Sequence, residues 1–212
     1  MIRASTSFES TTRLGPLVAG IVALWFLASL TLSLTGVFYT PNRPPLAIAG
    51  FALVPVLAFA IAYVAWRNFR QFVLGANPVI LTVAHTWRIV GLVFLILYWR
   101  NQVPGVWALP AGWGDIAIGV TAPLVAWAMA RRIVNQQLIL LWNAFGLLDL
   151  FAAIILGVLS SNGPLGILAH GATTQIMGTF PLSLIPTFLV PLFIIFHLIT
   201  IAIVRHSEGR NA

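Results

Sequence analysis

Six long apolar stretches dominate the sequence and restrict its fold to a helical bundle in a membrane. They cover roughly 15–38, 46–66, 79–99, 109–130, 136–159 and 181–204. A transmembrane helix needs about 20 predominantly apolar residues, and each stretch has that length. Only 7% of the residues are charged, whereas soluble domains carry about 25%. We therefore predict an all-α polytopic membrane protein, a bundle of six transmembrane helices that forms a single transmembrane domain over residues 1–212.

Arginine is distributed unevenly between the two sides of this predicted bundle, which indicates how the chain crosses the membrane. Arg43 and Arg100 lie on the side opposite the N-terminus. The side of the N-terminus carries Arg3, Arg13, Arg67, Arg70, Arg131, Arg132, Arg205 and Arg210. Because cytoplasmic loops carry the excess of basic residues, we predict that both termini are cytoplasmic. Topology then accounts for the net charge of +7, and no nucleic-acid partner is expected.

The first apolar stretch also bears on the location of the protein. The run that begins at Leu14 is too long for the core of a signal peptide, so we expect it to be retained as the first span. Together with the short loops, it predicts a multi-pass protein of a bacterial cell inner membrane. The lipid bilayer is then the main partner. A homo-oligomer or a larger membrane complex is also compatible with the sequence.

Several ionisable or strongly polar side chains lie inside the apolar stretches. A charge at the centre of a membrane helix costs about 2.5–3.5 kcal/mol on insertion scales, so such residues face a bundle interior or a wet cavity. We predict that they form one polar cluster or substrate path across the bundle. Its members are His85, Arg88, Asp115, Asn143, Asp149 and His197.

The depths of these residues predict two layers within the cluster. At 1.5 Å per residue, His85, Asn143 and His197 lie at a similar depth on the side of the termini. Asp115 and Asp149 lie roughly 10 Å further across. Because Arg88 lies between the layers and an unpaired guanidinium would be costly, we predict that it pairs with Asp149 or Asp115.

The start of the fourth stretch predicts a pocket at the external side. It is rich in glycine, and we expect a loosened helix around Gly112 and Gly114, covered by the loop 160–180. Irregular backbone at membrane depth survives only where it lines a cavity or is buried in protein. The expected lining of this outer pocket is Asp115, Asp149, Trp113 and His170, with Arg88 at its floor. The alternative is a closed, dry bundle.

The sequence contains no motif of known chemistry, so it leaves several functions open, including whether the chain is an enzyme. The absence of cysteine and lysine excludes thiolate chemistry and lysine Schiff bases. Imidazole, guanidinium and carboxyl groups in one membrane bundle favour proton-linked or small-solute transport. The alternative is a membrane redox protein in which His85 and His197 ligate haem b. A membrane-embedded enzyme and a purely structural subunit are further alternatives, and no metal-site spacing is present.

Overall fold

The structure is a computed structural model that describes the backbone of residues 2–41 and 43–211 and the side chains of 14–41 and 43–207. These residues form helices and connecting loops, with no β-strand in the described ranges. The α-helices in chain order are α1 Ile2–Leu34, α2 Leu46–Ala65, α3 Arg67–Leu74, α4 Pro78–Ala84, α5 Leu92–Trp99, α6 Gly105–Ala130, α7 Gln136–Leu159 and α8 Val190–Asn211. The predicted all-helical fold is confirmed for this part of the chain.

Six helical segments of the described chain are long and apolar enough to cross a membrane. They are Leu14–Leu34, Leu46–Ala65, Pro78–Trp99, Gly105–Ala130, Gln136–Leu159 and Ile185–Ser207. Asparagine side chains cap two of them: Asn77 Oδ1 accepts the Val79 N–H, and Asn135 Oδ1 accepts the Leu138 N–H. Such caps bind amide groups that have no partner within the helix. The N-terminal ends of these two spans are therefore specified by the local sequence.

The third span is not a continuous α-helix. Between α4 and α5, residues His85–Gly91 form a 3-10 helix. Residues three apart eclipse one another in a 3-10 helix, so His85, Arg88 and Gly91 lie on one face, and all three are buried. Irregular helix geometry was predicted for the fourth span, but of these two spans it is the third that has it. The predicted loosening around Gly112 and Gly114 was wrong, because both lie within the continuous helix α6.

The sixth span begins with a π-helical turn, Ile185–Leu189, directly before α8. Pro191 has no N–H to donate to the carbonyl of Thr187, four residues earlier. That carbonyl instead accepts hydrogen bonds from Trp25 Nε1 at 3.0 Å and Ser29 Oγ at 3.4 Å. The freed carbonyl thus attaches α1 to the bundle. The sequence analysis did not predict this contact of Trp25.

The loop between α7 and the sixth span packs onto the bundle, and we call this end of the molecule the loop end. Met177 joins Phe94 and Trp107 in a buried apolar cluster. The indole N–H of Trp107 donates to the Ala153 carbonyl at 3.0 Å. A second cluster, around Leu150 and the first turns of α8, lies next to it. These clusters hold the helices that carry the predicted polar residues.

Candidate functional site

Arg88 lies at the centre of a buried ion-pair cluster. Its side chain comes from the 3-10 segment of the third span, and the residue is only 2% exposed. The guanidinium donates from Nε to Asp115 Oδ1 at 2.7 Å and from Nη2 to Asp149 Oδ2. The pairing of Arg88 predicted from the cost of an isolated charge is confirmed, and it involves both carboxylates.

The remaining guanidinium nitrogen extends the cluster to His197. Arg88 Nη1 donates to the Gly146 carbonyl and lies 3.2 Å from His197 Nε2. Because arginine only donates, Nε2 is the acceptor, and the ring proton lies on Nδ1. That Nδ1 donates to Asn143 Oδ1 at 2.8 Å, and Asn143 Nδ2 donates to the Ile139 carbonyl. Both hydrogen bonds of the His197 ring are made by its neutral form.

His85 completes the set of six predicted polar residues that the structure brings together. Its ring lies against that of His197, with centroids 3.9 Å apart and an angle of 22° between the planes. Phe193 and Trp142 pack around it, at centroid distances of 5.3 and 5.6 Å. His85 is fully buried, yet neither Nδ1 nor Nε2 has a hydrogen-bond partner among the described residues. Buried polar atoms are usually hydrogen-bonded, so the two unpartnered nitrogens of this imidazole are unusual.

Glycines make room for the cluster, and sequence reasoning did not assign them this role. A Cβ atom at Gly91 would collide with Asp115, and one at Gly114 would collide with Asp149. A Cβ at Gly146 would collide with the His197 ring. Each glycine therefore lies opposite one of the polar side chains on a neighbouring helix. The signal in the sequence is the position of Gly91 and Gly114 next to the buried polar residues.

The charges of the cluster do not balance. One guanidinium faces two carboxylates, and the side chains of Asp115 and Asp149 are only 14% and 9% exposed. His197 adds no charge in the tautomer that its hydrogen bonds define. With both carboxylates ionised, the cluster has one negative charge in excess within the apolar bundle.

Residues 44–205 match the model of a family described as Domain of unknown function (DUF8737). The chain belongs to the DUF8737 family. The match includes every residue of the ion-pair cluster, and the description of the family states no activity. No curated protein and no solved structure matches the chain. The function of this DUF8737 protein is therefore argued from the geometry of its site.

A cavity of about 210 Å³ opens next to the cluster in this DUF8737 protein. It lies between α2, which contributes Ala49 and Ala52, and α7, which contributes Ile154. Asp115 is also in its wall. The walls are otherwise mostly apolar, and they include the loop end of the sixth span.

This cavity differs from the outer pocket predicted from the sequence. Asp115 lines it, but Asp149, Trp113 and His170 are not among its lining residues. Trp113 is 59% exposed, because two residues along an α-helix turn the side chain by about 200° away from Asp115. His170 lies exposed in the loop. Arg88 borders a smaller neighbouring cavity that shares Asp115.

The cluster does not fit bis-histidine haem ligation. Both ring nitrogens of His197 are engaged, by Arg88 and by Asn143. The His85 and His197 rings also lie face to face, whereas axial ligands point their nitrogens at an iron between them. Among the described residues, no group of three or more His, Cys, Asp or Glu side chains is placed to hold a metal ion. In this DUF8737 protein these side chains instead form ion pairs and hydrogen bonds around Arg88.

Proposed function

We propose that this protein is a proton-linked transport protein for a small solute, with the cluster around Arg88 as its proton-binding site. The observation that carries the proposal is the single guanidinium shared by Asp115 and Asp149. An uncompensated charge within a membrane costs several kcal/mol. The cluster therefore favours binding of one positive charge, which either a proton or a cationic group can supply.

Competition between a proton and a cationic group supplies a mechanism for coupling. When one of them neutralises the cluster, the negative charge that would attract the other is gone. Binding of a cation then favours release of the proton, and binding of a proton favours release of the cation. Asp115 and Asp149 are the proton-binding groups of this mechanism, and His85 stacks on His197 without a hydrogen-bond partner of its own among the described residues.

A purely structural ion pair is the main alternative, and the charge count argues against it. One carboxylate is enough to neutralise Arg88, and a second buried carboxylate adds a charge that a structural pair does not need. Haem ligation has no comparable observation in its favour.

The proposed setting is a bacterial inner membrane with both termini in the cytoplasm. The uneven distribution of arginine supports this orientation. With this orientation, the loop end and the 210 Å³ cavity lie in the periplasmic half of the bundle. A reporter that works only in the cytoplasm should be active when it is fused after Ala212. A fusion that is active only in the periplasm would refute the orientation.

A pH jump tests the proton-binding site without knowledge of the solute. Protein is reconstituted into liposomes adsorbed on a solid-supported membrane, and the buffer is switched between two pH values. A proton that enters the cluster moves charge through part of the membrane, so we expect a transient current. Asp115→Asn and Asp149→Asn each leave one carboxylate for Arg88, so both variants should lose it.

The matched control is Glu208→Gln, which removes a carboxylate outside the six spans and should keep the current. All variants are compared as monodisperse protein in size-exclusion chromatography. A wild-type protein without a transient current, or Asn variants that retain the full current, would contradict the proposal.

A further inference from the structure

The 210 Å³ cavity has the properties of a small-molecule site. Its walls are mainly apolar, and Phe94 and Trp107 line it with ring centroids 4.8 Å apart. Ligand sites are typically apolar cavities with a few polar groups that fix the orientation of the ligand. The size also limits the ligand, since an engineered apolar cavity of about 150 Å³ holds benzene. One ring with a short side chain therefore fits.

Asp115 connects this cavity to the ion-pair cluster. It lines the cavity, whereas Asp149 does not. Its bond with Arg88 uses Oδ1, which leaves Oδ2 for another partner. The Asp115 side chain is also the more exposed of the two carboxylates, at 14% against 9%. A ligand in the cavity thus meets the excess negative charge of the cluster at this residue.

We propose that the cavity binds a small organic cation, a protonated amine attached to one ring or a short hydrocarbon, with its ammonium group against Asp115. The inference rests on the proposed function, because it uses the same unbalanced carboxylate, and it adds the class of the solute. Charge complementarity selects the cation, since an anion would add to the excess charge. The apolar walls and the two aromatic rings bind the hydrocarbon part and favour a cation near them.

The other charged groups around the site are consistent with this choice. Arg88 and Asp149 form an ion pair, and neither of them lines the cavity. Arg43 lines the cavity at the loop end, where it is exposed, and water and salt screen its charge. His197 is neutral in its hydrogen-bonded tautomer, and His85 stacks beyond it. Asp115 is thus the carboxylate that meets the ligand.

Binding of the ammonium ion displaces a proton from the site. In the empty site the excess carboxylate is neutralised by one proton. When the ammonium ion binds, it forms an ion pair with the Asp115 carboxylate, and this proton leaves to water. No covalent bond other than the one to the proton breaks, and nothing is oxidised or reduced. The reaction therefore predicts release of one proton for each cation bound.

The test measures binding and proton release on the full-length protein in detergent. The probe is phenethylammonium, compared with 2-phenylethanol, a neutral analogue of the same shape, and with phenylacetate. A charge-assisted hydrogen bond predicts that the cation binds about tenfold or more tightly than the alcohol. In weakly buffered solution near neutral pH, we expect close to one proton released per phenethylammonium and none with the alcohol.

Three variants locate the site. Asp115→Asn should abolish the preference for the cation but keep weak binding of 2-phenylethanol. Ala49→Phe places a ring at the cavity wall and should weaken binding of both compounds by about tenfold or more. Ala58→Phe, at an exposed position of the same helix, is its matched control and should bind normally.

The outcomes separate this inference from the proposed function. Equal binding of the cation and the alcohol, or unchanged cation binding in Asp115→Asn or in Ala49→Phe, would overturn the assignment of the ligand. If a pH-jump current accompanies that result, the proton site stands and the solute class is wrong. If phenethylammonium binds as expected without proton release and without a pH-jump current, the cation site is supported and the proton link is refuted.

Discussion

Replacement of Arg88 with leucine is the perturbation whose size the structure defines best. The variant loses the ion pairs to Asp115 and Asp149 and the hydrogen bond to the Gly146 carbonyl. Removing one partner of a buried ion pair typically destabilises a protein by about 3–5 kcal/mol. We expect a loss of this size at neutral pH, measured as the free energy of unfolding in mixed micelles with an increasing fraction of SDS.

The pH dependence of this loss gives a second quantity. Without Arg88, the folded variant must hold one more proton than the wild type, so that neither carboxylate is left charged. The unfolded chain does not hold that proton at neutral pH, so the stability of the variant falls as pH rises. Its deficit should therefore shrink by about 1.4 kcal/mol for each pH unit of acidification.

Two further variants make the interpretation specific. Arg67→Leu removes an exposed arginine and should change stability by no more than about 0.5 kcal/mol. Arg88→Leu combined with Asp115→Asn and Asp149→Asn removes the buried charges together and should recover most of the loss. An Arg88→Leu protein within about 1 kcal/mol of wild type at neutral pH, or a deficit that does not shrink in acid, would refute the reasoning.

Two other contacts give smaller effects that thermal unfolding in detergent can measure. Gly114→Ala should destabilise the protein by about 1–3 kcal/mol, because its Cβ collides with the carboxylate on α7. Gly50→Ala, which meets no atom within 4 Å, should be neutral or slightly stabilising, and an equal loss in both would contradict the account. Trp25→Phe removes the hydrogen bond to the Thr187 carbonyl and should cost about 1 kcal/mol. Trp127→Phe, at a side chain that is 56% exposed, should cost clearly less, and the reverse order would argue against this contact.

The spans and the ion pairing could be predicted from the sequence because each follows from the low polarity of the membrane. Stretches of about 20 apolar residues specify helices whatever their packing. The cost of an isolated guanidinium makes a carboxylate partner for Arg88 necessary. The chain contains only two aspartates, Asp115 and Asp149, and both lie within spans. Few alternatives were left for this pairing.

The cavity and the local helix geometry could not be predicted in the same way. The 3-10 segment His85–Gly91 has no proline or other local signal, and it aligns its buried residues through packing against α6. The glycines of α6 suggested a loosened helix, but Gly114 gives space to a side chain of α7. Trp113 and His170 were placed by proximity in sequence, whereas the position of the cavity depends on how α2 and α7 lie in space.

Infrared spectroscopy of the purified protein tests the central claim, that the empty cluster holds one proton to balance its second carboxylate. Protonated carboxyl groups and imidazolium rings give separate bands, so the spectrum shows where a proton resides. At neutral pH, the wild type should show one protonated group, and Asp115→Asn and Asp149→Asn should each lack it. A wild-type spectrum with neither a protonated carboxyl nor an imidazolium band, or the same band in both variants, would contradict the account.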